Sequence, residues 1–255
     1  MKKIFNILCV FLIIVLVGGF AIHLATPQEN NDNSDTEQVV SIDYSELSII
    51  CLGDSITYGY SYVGDVNTRL EKPWCDSVGE ILGLKNVYNH GVNGSSLCNG
   101  ENSKAPMCDR SALLEEDADI ILLLGGTNDF RLCFEMGTID SMDAHTIYGA
   151  LNTIATNLKT KYPNAYILFM TPLPYYVHNT NVNSIGISQK DIVGAVGNVA
   201  YKFGFDVLDL HRNNAGFNFL DAWYTANDYM HPSQAYCTEK LAPLIAQFIK
   251  DNYKK

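Results

Sequence analysis

Apolar residues in this chain come in short unbroken runs that end at glycine or at small polar residues. Five such runs predict strands: 47–53 (LSIICLG), 86–91 (NVYNHG), 119–126 (DIILLLGG), 165–172 (AYILFMTP) and 205–210 (FDVLDL). A run without polar alternation fits a parallel strand covered on both faces. Stretches with helical spacing lie between them, at 73–83, 143–163 and 188–204. The second of these puts Ile147, Leu151, Ile154, Ala155 and Leu158 on one face. A last helix is expected over 232–253, kinked at Pro243. This alternation implies right-handed crossovers and a doubly wound parallel sheet of about five strands. Ligands in such sheets sit beyond the carboxyl ends of the strands, so the residues there carry the functional question.

The first 25 residues follow another pattern. Lys2 and Lys3 precede a run from Ile7 to Ile22 without a charged residue, which suits a secretory signal or an N-terminal membrane anchor. Residues 26–42 (TPQENNDNSDTEQVVSI) are polar and acidic and read as a flexible linker. The remainder, 43–255, is long enough for one α/β domain. It is expected outside the cytoplasm, touching a membrane through the N-terminal segment only. The net charge of −11 argues against a nucleic-acid partner, because phosphate binding needs a basic face. Cys98 and Cys108 flank a polar loop and are the expected disulfide pair of an exported protein, whereas Cys51, inside a strand, reads as a buried free thiol. No cysteine or histidine spacing matches a zinc site, so neither a metal nor a cofactor is expected.

Polar residues cluster at three strand ends and before the last helix: Gly53-Asp54-Ser55, the stretch NHGVNGSS with Asn93 and Gly94, GGTND with Asn128 and Asp129, and DYMHPS with Asp228 and His231. Each has an ordinary structural reading, as a helix cap, a turn or a loop opening. Together they supply a hydroxyl, amide donors and an Asp/His pair at one edge of the expected sheet. A serine hydroxyl becomes a useful nucleophile only when a base takes its proton. Asp228 stands three residues before His231, so one tight turn can fold its carboxylate onto the imidazole and leave the other ring nitrogen for Ser55. His90 lacks an adjacent carboxylate, and His145, His178 and His211 suit surface or core roles. Asp54 and Asp129 would repel an oxyanion and are expected to bond loop N–H groups.

GDSIT (53–57), NHGVNG (89–94), GGTND (125–129) and DYMHP (228–232) resemble, in order and spacing, the motifs of the SGNH hydrolases, the GDSL-type esterases and lipases. The resemblance spans about residues 47–250, and its one departure is Ile56 where the family motif has leucine. It implies a flavodoxin-like three-layer α/β/α sandwich. It also implies Ser55 as nucleophile, His231 as general base and Asp228 as its orienting carboxylate, with an oxyanion hole from the Ser55 and Gly94 N–H groups and the Asn128 amide. The expected substrate is a small ester, with O-acetyl groups on carbohydrate suggested by the extracytoplasmic setting. Tyr58, Tyr60, Tyr62, Tyr175, Tyr176, Trp223 and Tyr224 follow or flank the motif loops and could stack on sugar rings. Lysophospholipase or thioesterase chemistry on the same fold, and a glycan-binding module without turnover, are the rival readings.

Overall fold

The computed structural model describes residues 42–63, 66–175, 182–218, 220–221, 225 and 228–254. The expected N-terminal segment, the linker apart from Ile42, Tyr176, His178, Trp223, Tyr224 and the Tyr62 side chain lie outside the described residues. In chain order the elements begin with β1 (Ser48–Gly53), the one-turn helix α1 (Ser55–Tyr58), and the strands β2 (Tyr60–Val63) and β3 (Val66–Arg69). They continue with α2 (Trp74–Leu82), β4 (Asn86–Gly91), α3 (Met107–Arg110), β5 (Ile120–Leu124) and α4 (Thr127–Arg131). The last are α5 (Ile147–Lys161), β6 (Tyr166–Met170), α6 (Gln189–Phe203), β7 (Asp206–Leu208), α7 (Gln234–Tyr236) and α8 (Ala242–Asn252).

Five strands pair in parallel in the order β4-β1-β5-β6-β7. This is the flavodoxin-like order, with the topological switch between β1 and β5. The pleat sends alternate residues of the apolar runs to opposite faces. Ile49, Cys51, Ile120 and Leu122 face one core with α2 and α8, while Ile50, Leu52, Ile121 and Leu123 face the other with α5 and α6. Three layers result, as expected. β4 is an edge strand and stays partly exposed along its whole length.

The long helices begin and end inside the expected ranges for local reasons. Thr146, not a residue near 143, caps α5, its hydroxyl accepting the Gly149 N–H, because Asp143–Thr146 folds as a turn of its own. Ser188 caps α6 with a reciprocal bond to Asp191. The C-terminal stretch is corrected in form. Instead of kinking at Pro243, the chain passes from α7 through a π turn, Cys237–Leu241, into α8. Pro243 thereby falls in the first turn of α8, where its missing N–H leaves no bond unmade. The antiparallel β2–β3 pair was not anticipated; all four β3 residues are exposed and no apolar run marks it.

The expected Cys98–Cys108 disulfide is also corrected. All six described cysteines are free thiols, Cys51 among them as expected. The Cys98 backbone N–H is held by Asp129, and the Cys108 thiol is directed to Asp109. Among the described residues no helix is long and apolar enough to cross a membrane.

α1 lies so close on β4 that a Cβ at Gly91 would stand 2.0 Å from the Tyr58 backbone nitrogen. Gly91→Ala is therefore expected to destabilise the fold by about 1–3 kcal/mol through overpacking, read from the denaturant midpoint. An unchanged midpoint would refute the close approach.

Candidate active site

The end of β1 sets the first side chain. Asp54 is the N-cap of α1: its carboxylate accepts the Ile56 N–H at 2.9 Å. Ser55 is thus the first helical residue and is buried at the switch point. Cap position and displayed hydroxyl coincide in one turn.

His231 arrives from the other end of the chain. Asp228 Oδ1 accepts the N–H groups of Met230 and His231, and Asp228 Oδ2 lies 2.5 Å from His231 Nδ1. Tyr229 makes this turn possible by adopting φ +60°, a left-handed backbone that is unusual for a bulky residue. With Nδ1 donating to the carboxylate, Nε2 accepts from the Ser55 hydroxyl at 2.8 Å. The expected turn and convergence are both present, across 176 residues of sequence. Burial alone would raise the Asp228 carboxyl, but the hydrogen bonds and charge of His231 bring it below its ordinary value. Gln234 exchanges two hydrogen bonds with the backbone of Lys72, tying the histidine turn to the start of α2.

The amide donors are held by a second set of contacts. Asn128, in α4, donates Nδ2–H to the Ser95 carbonyl at 2.8 Å, and Arg131 Nη1 donates to its Oδ1 at 3.3 Å. The carboxamide is therefore fixed at both ends, and Nδ2 retains a second proton. Gly94 precedes Ser95 in the same loop and has φ +76°, which a side chain would strain. Asp129 accepts the Leu97 and Cys98 N–H groups at 2.9 and 3.0 Å, anchoring this loop. Asp129 bonds loop N–H groups as expected, whereas Asp54 bonds an N–H of α1 as its N-cap. Burial pushes Asp129 up, and it pushes Asp54 up to about 6 against the pull of the Ile56 N–H.

Three features escaped the sequence reading. Arg110 reaches under the site from α3 and is taken up below. The β2–β3 pair carries Tyr60, whose ring lies 4.5 Å from that of His231 and whose hydroxyl donates to Asn67 at 2.5 Å. A cavity of about 540 Å³ opens beside α4, lined by Phe130, Arg131, Cys133, Tyr175, Val182, Asn183 and Ser184. The arginine bonded to Asn128 forms part of its wall. Of the other histidines, His90 pairs with Glu116 and His145 with the Asn99 carbonyl, while burial lowers His211. Tyr58 lies under Arg69.

A hydroxyl hydrogen-bonded to an imidazole that is itself oriented by a carboxylate, with amide donors alongside, can perform acyl transfer. The sequence profile of the GDSL-like lipase/acylhydrolase family matches residues 51–236. No curated protein matches the chain. Among solved structures, a protein from Lactobacillus plantarum is 26% identical, with a TM-score of 0.71 over 82% of this chain and 99% of its own. The M. smegmatis aryl esterase (17% identity, TM-score 0.63, 81% and 100% coverage) shares the fold. A carbohydrate acetylesterase from Sinorhizobium meliloti does so too (17%, 0.61, 82% and 100%).

Asp54 and Asp228 give opposite pH slopes. Asp54 holds its proton in the folded state up to about 6 but loses it near 4 when unfolded, so its stabilising protonation fades as pH rises through that window. The Asp54 share of the resulting fall in stability should be on the order of 3 kcal/mol between roughly pH 4 and 6, so Asp54→Asn should make the slope shallower by that amount. Asp129, also raised by burial, leaves a residual fall of the same sign. Asp228 acts the other way, with its contribution lost only as pH drops below the ordinary carboxylate range. Denaturant titrations of both proteins across this range are the check; equal slopes would refute the assignment.

Proposed function

The chain belongs to the GDSL-like lipase/acylhydrolase family and is a serine hydrolase of that family, and from that premise we propose that it is an esterase for small acyl groups in which Ser55, His231 and Asp228 form the catalytic triad. The observation that carries this reading is the unbroken hydrogen-bonded series from Asp228 Oδ2 through His231 to Ser55 Oγ. In it, His231 Nε2 takes the hydroxyl proton as Ser55 Oγ attacks the ester carbonyl. The imidazolium that forms is stabilised by ionised Asp228, and the tetrahedral oxyanion is received by the Ser55 and Gly94 N–H groups and the second Nδ2 proton of Asn128. His231 then returns the proton to the leaving alcohol. An acyl-enzyme remains, and water activated by the same histidine hydrolyses it.

The substrate we favour is an acetylated carbohydrate. Supporting it is the likeness in fold to a carbohydrate acetylesterase, together with a cavity of mixed lining, Phe130, Tyr175 and Val182 beside Arg131, Asn183 and Ser184, whose Arg131 is bonded to Asn128. The apolar run after Lys2 and Lys3 fits a domain held outside the cytoplasm, where such polymers occur.

Ser55→Ala is expected to reduce turnover of a short-chain aryl ester by roughly 10⁴-fold or more and to end labelling by a fluorophosphonate probe. Asp228→Asn should lower kcat by roughly 10⁴-fold with the fold intact. Persisting turnover in the Ser55 variant would end the triad reading. Release of acetate from acetylated glycans, compared with fatty-acid release from lysophospholipids, measures the substrate class.

A further inference from the structure

The cation beneath the candidate oxyanion hole has no place in the family motifs. Arg110, the last residue of α3, directs its fork at four acceptors. Nε donates to the Ala105 carbonyl at 2.7 Å, Nη1 to the His90 carbonyl at 2.6 Å, and Nη2 to the Gly53 carbonyl at 2.8 Å and the Ser95 hydroxyl at 2.9 Å. Three are backbone carbonyls and one is a hydroxyl, so none of the bonds neutralises the guanidinium. Burial lowers its pKa to about 10, opposed by the charge of Asp54. A desolvated cation held by neutral groups is expensive, and neutral donors could join the same carbonyls.

The bonded atoms are informative. Gly53 ends β1 two residues before Ser55, and His90 lies one residue before the end of β4. Ser95 follows Gly94, and its own carbonyl accepts the Asn128 amide. Ala105 has φ +45°, a conformation that alanine rarely adopts, and its carbonyl is held by Arg110 and by the Ser95 hydroxyl. One side chain thus joins the segments that present Ser55 and Gly94, and reaches Asn128 through Ser95. Building on the esterase reading above, we propose that Arg110 is a positioning residue for the tetrahedral step. It locks the strand ends and the Gly94–Ser95 loop in one frame, and its fixed positive charge favours the negative intermediate over the neutral ester. Such a charge acts where negative charge develops, so it should appear in kcat rather than in KM.

Arg110→Lys keeps the charge and loses the fork, whereas Arg110→Gln keeps amide donors and loses the charge. On the full chain, with a short-chain aryl ester as substrate, the Gln variant is expected to lose about 10- to 100-fold in kcat with KM within about twofold. The Lys variant should recover about fivefold or more of that loss. Affinity for phenylboronic acid, which forms an anionic tetrahedral adduct with a serine nucleophile, should follow the same order. Equal losses in both variants that track their melting temperatures would reduce Arg110 to a scaffold tie and overturn the proposal, as would no loss in either. Should both variants fail to fold, the wild-type protein still decides the matter. Forming the boronate adduct should shift the Arg110 Nε–H resonance, and an unmoved resonance overturns the proposal. A wild-type protein that neither turns over esters nor labels with fluorophosphonate would sink the esterase reading itself, whereas normal wild-type turnover with indifferent variants sinks only the role of Arg110.

Discussion

Parallel pairing in a fixed register is the constraint on which this molecule rests. Gly53 pairs with Gly91 on one side and with Leu124 on the other, so three strands end level with one another. Each strand then releases its chain at the same edge, at the point where the connections diverge. A slip of one residue in β1 would turn its apolar side chains to the wrong cores and carry Ser55 away from His231. The chemistry is thus placed by backbone hydrogen bonds deep in the sheet before any polar side chain contributes.

Charge is handled economically around that edge. Asp54 and Asp129 are buried and held by backbone N–H groups, and Arg110 is held by carbonyls. Each satisfies loop groups that a strand or long helix would otherwise engage, which explains how such irregular backbone survives in a buried place. Ionised carboxylates close to an oxyanion would be harmful if they faced it. Here both Asp129 oxygens accept the Leu97 and Cys98 N–H groups and Asp54 Oδ1 accepts the Ile56 N–H, so these bonds turn them to the backbone.

Much of this was legible in the sequence because it depends on local rules. Apolar runs gave the five strands, the polar clusters just beyond them gave Ser55 and Asn128, and the cluster before the last helix gave the Asp228–His231 turn. The expected disulfide failed because loop-flanking positions say nothing about where a thiol points. Cys98 and Cys108 both turn into the core. Arg110 was invisible since one arginine in MCDRSAL has no spacing partner, and its acceptors are three carbonyls and a hydroxyl scattered from Gly53 to Ala105. Tyr60 was named as a sugar platform, yet its contact with the His231 ring depends on a strand pair that carries no apolar signature. The π turn was likewise hidden: Pro243 announced an irregularity but not its form.

The backbone at position 229 has a consequence for how this chain can change over time. Its side chain is largely in solvent, which would ordinarily leave the residue open to almost any replacement. The left-handed φ overrides that freedom: glycine and asparagine are admissible, whereas valine, isoleucine and proline are shut out by sterics alone. Drift there is filtered by torsion and not by chemistry, so an exposed tyrosine becomes a silent guardian of the distance between a carboxylate and an imidazole.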